Sequence, residues 1–256
     1  MLHIITRVFF VCLLSACAQA PVLAQAGPEP SSTMPVYDDL LAEIDRLAAE
    51  PGSVQQQRQA LELLEQALLT DPADYQVLWR AARTYYKVGD EAADRAKASY
   101  FERGIAVGQR AVAQQPTGVE GHFWLGANYG GFSELQGMLK ALKTVPKIRT
   151  AMQTVLQLQD SYAQGEAYRA LGELERQLPG VFGGSVKRAV LYLEQGIQVA
   201  PQNLALKLAL ARAYRDASRD QDSQQLLHEI LRTPVRPEQA RADQAIHDKA
   251  RQLLAD

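Results

Sequence analysis

LPGVFGGS, residues 178–185, with Lys187 just beyond, has the residue types of a phosphate cradle: glycines let backbone N–H groups converge on an anion, and a lysine neutralises it. The spacing argues against that chemistry. A phosphate loop ends in Gly-Lys-Ser/Thr and follows a β-strand, whereas here Ser185 and Val186 separate Gly184 from the lysine and both flanks read as helix. Pro179, Gly180, Gly183 and Gly184 are therefore expected to form a structural turn between two helices. The glycines would supply positive φ angles and room, and Val181 and Phe182 would pack beneath. Other reactive groups are scattered. His3, His122, His228 and His247 stand alone, without an HExxH or a cysteine companion, and Ser133 and Ser185 lack a nucleophile elbow. No catalytic residue, metal site or cofactor is assigned, and the expectation is a protein that is not an enzyme.

Both cysteines lie near the start. MLHIITRVFFVCLLSACAQA has one arginine, an apolar run from Val8 to Leu14 and then small residues, the order of a secretory signal peptide, with a run too short to span a bilayer. Leu14-Ser15-Ala16-Cys17 matches the bacterial lipobox, so residues 1–16 are expected to be removed and Cys17 to carry lipid. Cleavage after Ala26 in LAQA, leaving a soluble periplasmic protein, is the alternative. Cys12 lies in the discarded run, so the mature chain would hold no thiol for a disulfide, a metal or catalysis. Ala18, not Asp, follows the cysteine, which by analogy with enterobacterial sorting favours the outer membrane. Residues 17–35, the lipidated cysteine and a Pro-, Gly- and Ala-rich stretch, read as a tether reaching about 25 Å.

What must position any binding residues is the remainder, 36–256. With 47% hydrophobic and 22% charged residues the chain is expected to fold rather than stay disordered. Its formal charge of −2 makes nucleic acid an unsuitable partner. Apolar residues recur three and four apart, strand-like alternation is lacking, and a spacing repeats: Ala60, Leu64, Ala67, Pro72; Gly104, Gly108, Ala111, Pro116; Ala189, Leu193, Gly196, Pro201. Small residues mark where helices approach closely, and a proline follows where each stops. Six residues past each proline a second pattern opens: Leu78, Ala81, Ala82, Tyr85; His122, Leu125, Gly126, Tyr129; Lys207, Leu210, Ala211, Tyr214; and, with a different entry, Tyr168, Leu171, Gly172. This is the signature of tetratricopeptide units.

The expected fold is thus all-α: a helical-hairpin solenoid of about five helix pairs, near 37–70, 74–115, 119–160, 162–199 and 203–232. A capping helix at 237–254 would keep the last apolar face from water. Ten extra residues after Asp90, and FSELQGMLKALKTVPK after Gly131, break the uniform spacing, the latter as an added helix or excursion over 132–146.

In such a stack the first helices line a concave groove. Mapping the inward repeat positions gives Trp79, Arg83, Tyr86 and Lys87, then Phe123 and Ala127, then Arg169 and Arg176, then Arg212 and Arg215, aromatic at one end and basic toward the other. Arginine forks hold carboxylates and aromatic faces bury apolar surface, so an acidic peptide tail or an organic acid fits this lining. The other reading of the same residues is structural: the arginines pair with Glu166 and Glu173, and Trp79 and Phe123 pack between repeats.

Residues 145–197 carry a denser pattern: Pro146 before a helix, Leu156 through Tyr162 leading into Gly165, Tyr168, Leu171-Gly172, Leu178-Pro179-Gly180, Gly183-Gly184, and a helix with Ala189 and Leu193. With the earlier HFWLGANYGG, this resembles the T-component (TatT-like) family of tripartite ATP-independent periplasmic (TRAP) transporters. The likeness covers most of 55–232 and is specific chiefly at the loop. More distantly the helical core is similar to the regulators of microtubule dynamics, a eukaryotic family whose biology the lipobox argues against. The first resemblance implies a lipid-anchored, periplasm-facing protein that associates with a solute-binding P component and handles an organic or hydrophobic ligand. The alternative function is an outer-membrane or envelope assembly scaffold binding extended polypeptides, with another envelope protein as partner. A homo-oligomer is compatible with either.

Overall fold

The computed structural model describes residues 34–49 and 53–255, so the leader, Cys17 and the tether up to residue 33 lie outside the described residues. Among those described there are eleven α-helices and no strand: α1 (Met34–Leu47), α2 (Val54–Thr70), α3 (Tyr75–Glu91), α4 (Asp94–Gln114), α5 (Val119–Glu134), α6 (Met138–Gln159), α7 (Glu166–Gln177), α8 (Val186–Val199), α9 (Leu204–Asp216), α10 (Asp220–Arg232) and α11 (Ala240–Ala255). Local chemistry starts several of them. Ser53 and Gln56 close a capping box on α2, and Asp74, Ser185 and Asn203 accept from the first free N–H groups of α3, α8 and α9. The helix α1 begins at Met34, inside the stretch read as tether.

The helices pair as the repeat spacing predicts, α1 with α2 through α9 with α10, and α11 closes the stack. Each helix packs on its neighbours in sequence, and first helices also meet directly, α3 on α5 and α7 on α9. One buried apolar cluster runs from Ile44 to Leu178 and a second from Ala189 to Ala250. Leu64, Leu78, Leu171, Leu193 and Leu206 are wholly inaccessible, each contributing about 1.5–3 kcal/mol by burial. The small-residue positions do what the pattern requires: a Cβ on Gly172 would stand 2.4 Å from Leu193 Cγ, so α7 and α8 touch at a distance only glycine permits.

A polar device repeats along the stack. The tyrosine ending three of the first-helix patterns pairs with the residue twenty positions earlier: Tyr85 donates to Glu65 (2.6 Å), Tyr129 accepts from Gln109 (2.8 Å) and Tyr214 donates to Glu194 (2.9 Å). A cation covers each ring, Arg103, Lys147 and Arg219 in turn, at 5.1, 5.3 and 4.1 Å. The fourth pair departs from this pattern. Its matching position in α7 is Glu175, buried, holding Arg149 of α6 at 2.7 Å and Arg188 of α8 at 2.6 Å.

Four expectations need correction, while the ten extra residues after Asp90 fall within the expected pair 74–115. Residues 132–146 form neither an added helix nor an excursion: α5 runs on to Glu134, residues 135–137 turn the chain and α6 starts at Met138, with Pro146 inside that helix and not before it. Burial of Ala141, Val145 and Ile148 along one face keeps α6 continuous where proline removes a hydrogen bond. The ten residues after Asp90 lengthen the second pair, making α4 21 residues long. In the loop 178–185, Gly183 alone has a positive φ (86°); Gly184 is needed for room, since a Cβ there would lie 1.8 Å from the Leu178 carbonyl oxygen, whereas one on Gly180 would meet nothing within 4 Å. Val181 and Phe182 do not pack under the turn but face solvent, 87% and 43% exposed.

Candidate functional site

The first helices α3, α5, α7 and α9 carry the residues mapped to the groove, and three kinds of environment separate them. On α3, Trp79 is partly buried with two guanidinium groups over its ring, Arg80 at 4.3 Å and Arg83 at 5.1 Å. Asp45 of α1 binds both, Arg80 at 2.8 Å and Arg83 at 2.7 Å. Burial works to raise the Asp45 pKa, but the contacts with the two arginines outweigh it and hold the carboxyl below its ordinary range. Lys87, one turn on, donates to the Ala48 carbonyl at 3.0 Å.

Deeper in, the lining is aromatic and closed. Tyr86, Phe123 and Ala127 are buried, at 4%, 2% and 1% exposure. Tyr86 meets Phe101 and Trp124 with ring centroids 5.8 and 5.9 Å apart, and Phe123 lies edge-on to Trp124 (5.0 Å) and Tyr162 (5.2 Å). Burial, with Asp90 and Glu134 adding to it, pushes the Tyr86 hydroxyl well above its ordinary pKa.

The basic residues of α7 and α9 are tied into the frame. Arg169 is buried and pairs with Glu166 at 2.6 Å; burial opposes its charge, and Glu166 with help from Glu173 more than offsets this, so its pKa lies above the usual guanidinium range. Arg176 holds Glu173 and reaches across to Asp216 of α9, both at 2.9 Å. Arg215 donates to the Leu253 carbonyl of α11 at 3.0 Å, and Arg212 lies partly buried beside it on α9. The structural reading of Glu166 and Glu173 as arginine partners therefore describes the observed contacts.

Among the described residues, two buried side-chain N–H groups on α3 and α5 have no acceptor, Arg83 Nε and Trp124 Nε1. Tyr86 links them, one turn from Arg83 on α3 and ring to ring with Trp124 of α5. Sequence reasoning missed Trp124, Arg80 and Asp45. Trp124 was hidden because α5 is buried on nearly every side, so periodicity gives its faces no direction. Arg80 and Asp45 become partners through packing of helices 35 residues apart, which leaves no local signal.

Comparison with known proteins places this geometry. The family model described as "Regulator of microtubule dynamics protein 1-3" matches residues 40–256, the more distant of the two resemblances named above. No curated protein matches the chain. Among solved structures, the crystal structure of TTC0263, a thermophilic TPR protein in Thermus thermophilus, is 19% identical with a TM-score of 0.59, covering 86% of this chain and 99% of that one. The MamA RS-1 ArsTM double mutant (11%, TM-score 0.52, 86% and 96%) and a crystal structure of MamA protein (14%, TM-score 0.50, 84% and 96%) are also similar. At these identities the likeness shows the tetratricopeptide-type fold.

Proposed function

The chain belongs to the regulator of microtubule dynamics protein 1-3 family, and on that premise we propose that it is a non-enzymatic binding scaffold whose groove takes an extended, acceptor-rich partner along α3 and α5. The observation that carries this is the pair of buried donors, Arg83 Nε and Trp124 Nε1, beside the Tyr86 ring. A buried N–H without an acceptor is costly, and a carbonyl or carboxylate of a bound chain answers it. Aromatic neighbours add apolar area at small entropic loss. Of the mapped groove residues, Trp79, Arg83 and Tyr86 belong to this wall, Phe123 packs behind it, and Arg169, Arg176 and Arg215 brace the repeats beyond it.

Within that reading the docking component of a TRAP-type uptake system is the specific function we favour, supported by the loop pattern of 178–185 and the Cys17 lipobox, with the protein lipid-anchored, facing the periplasm at the outer membrane. Its partner is then a solute-binding P component. The envelope scaffold that captures extended polypeptides is the second reading, and the aromatic rings along α3 and α5 suit apolar side chains of such a segment.

Titration of the full chain with a purified P component by calorimetry tests the choice. Saturable binding, weakened roughly three- to tenfold by Trp124→Phe with melting unchanged, supports docking through the groove. Binding of acidic peptides with the same sensitivity, and none of the P component, replaces docking with the scaffold reading. Indifference of every ligand to Trp124→Phe removes the groove from either.

A further inference from the structure

Basic residues are not spread evenly. The stretches 135–159 and 178–193 hold six of them and no acidic residue, in a chain of formal charge −2. They are Lys140, Lys143, Lys147 and Arg149 on α6, and Lys187 and Arg188 on α8. Folding brings both to one edge. Each stretch opens at the turn from a first to a second helix, and the ends of α5 and α7 meet the start of α6 around a small apolar cavity of about 30 Å³ touching Gly130, Ala141 and Leu178. Arg149 and Arg188 share Glu175.

This edge also bears four of the exposed large apolar side chains: Leu135 (38%), Val181 (87%), Phe182 (43%) and Leu191 (50%). The loop presenting Val181 and Phe182 is braced. Phe182 N–H donates to Pro179 O (2.9 Å), Gly183 N–H to Gly180 O (3.0 Å), Gly184 N–H to Pro179 O (3.2 Å) and Ser185 N–H to Glu175 O (2.8 Å). Arg188, bonded to Glu175, also donates to the Gly183 carbonyl. A braced tip loses little freedom when it docks.

We propose that this edge rests on an anionic lipid surface, with Val181 and Phe182 entering the zone between headgroups and acyl chains and Lys140, Lys143, Lys187 and Arg188 lying among the headgroups. Two features select a bilayer over an acidic protein. Val181 and Phe182 stand exposed on a braced turn, which a fluid layer can envelop without a matching pocket. The cations are mainly lysines, mobile point charges suited to a diffuse anionic sheet, whereas arginine forks suit fixed carboxylates. Insertion is interfacial, because no described helix is long and apolar enough to cross a membrane. This inference is independent of the groove and of the Cys17 anchor.

The test places a reporter at the tip of the full chain. Val181→Trp, at the most exposed apolar position, is mixed with vesicles of phosphatidylglycerol and brominated phosphatidylcholine (3:7) and with purely phosphatidylcholine vesicles. An anchor elsewhere holds the protein near a bilayer but does not put residue 181 into it. The expected result is a blue shift and at least about twofold quenching of the added emission on anionic vesicles, beyond the change of Trp79 and Trp124 in the unsubstituted chain. Lys140→Glu with Lys143→Glu should abolish it, as should Phe182→Asp in the same background. Emission from residue 181 that stays solvent-like on anionic vesicles overturns the proposal, as does protection of the residue by an acidic protein partner without lipid. Quenching equal on neutral and anionic vesicles and unaffected by the lysine variants overturns the role given to the cations.

Discussion

Arg188 Nη2 lies 2.6 Å from Glu175 Oε2, and Arg149 closes the other side of the same carboxylate at 2.7 Å, at the repeat position where the neighbouring pairs place a tyrosine. The substitution marks the one hairpin whose turn is elaborated into the 178–185 loop. With Glu175 only 2% exposed, the two arginines pin α6, α7 and α8 together through a single buried group.

Glu175→Gln should therefore destabilise the fold by about 1–3 kcal/mol, less than a fully buried pair because both arginines retain solvent. Urea unfolding measures the loss, and hydrogen exchange at Gly183–Ser185 should accelerate. Unchanged exchange there would dissociate the loop from the carboxylate.

Gly183→Ala and Gly180→Ala form a contrast. Gly183 sits at φ 86°, where an alanine costs about 1–2 kcal/mol. Gly180 has a negative-φ turn conformation and open space, so its variant should melt within about 1 °C of the parent.

Gly172→Ala drives a methyl toward Leu193 Cγ at 2.4 Å and should cost about 1–3 kcal/mol, the ordinary penalty of overpacking, and lower the melting temperature by several degrees. Adding Leu193→Ala to it should recover part of the clash term while opening a cavity of its own.

Alkali should loosen the stack. Burial, with the hydrogen bond to Glu194 next, raises the Tyr214 pKa to about 12, and burial with Glu65 raises that of Tyr85 further. A pKa raised by folding contributes stability that is complete below the unfolded value near about 10 and fades as pH climbs through the folded one. Denaturant midpoints should fall above pH 10, and the fall should be shallower in Tyr85→Phe and Tyr214→Phe.

Cys17→Ser should abolish acyl labelling and membrane retention by that residue. Labelling that persists would refute the lipobox assignment, whereas a parent chain that takes up no acyl label would favour cleavage after Ala26.

Helix content, pairing and order were legible because they rest on short-range rules. Proline and glycine stop helices, small residues at four and three permit close approach, and an apolar face recurs with the helical period, so Ala60, Leu64, Ala67 and Pro72 announce a hairpin without reference to anything distant. Tyr85, Tyr129 and Tyr214 were legible as markers of register, although not as partners of Glu65, Gln109 and Glu194.

What the tertiary structure decided is which side chains remain available. Phe123, Ala127 and Arg169 occupy inward repeat positions, yet the helices around them close in, and Glu166 satisfies the arginine. Val181 and Phe182 have the composition of core residues but stand in water because the turn is braced from beneath by Glu175 and Arg188. Availability depends on the summed burial from elements far apart in sequence, a non-local quantity that no spacing along one helix contains.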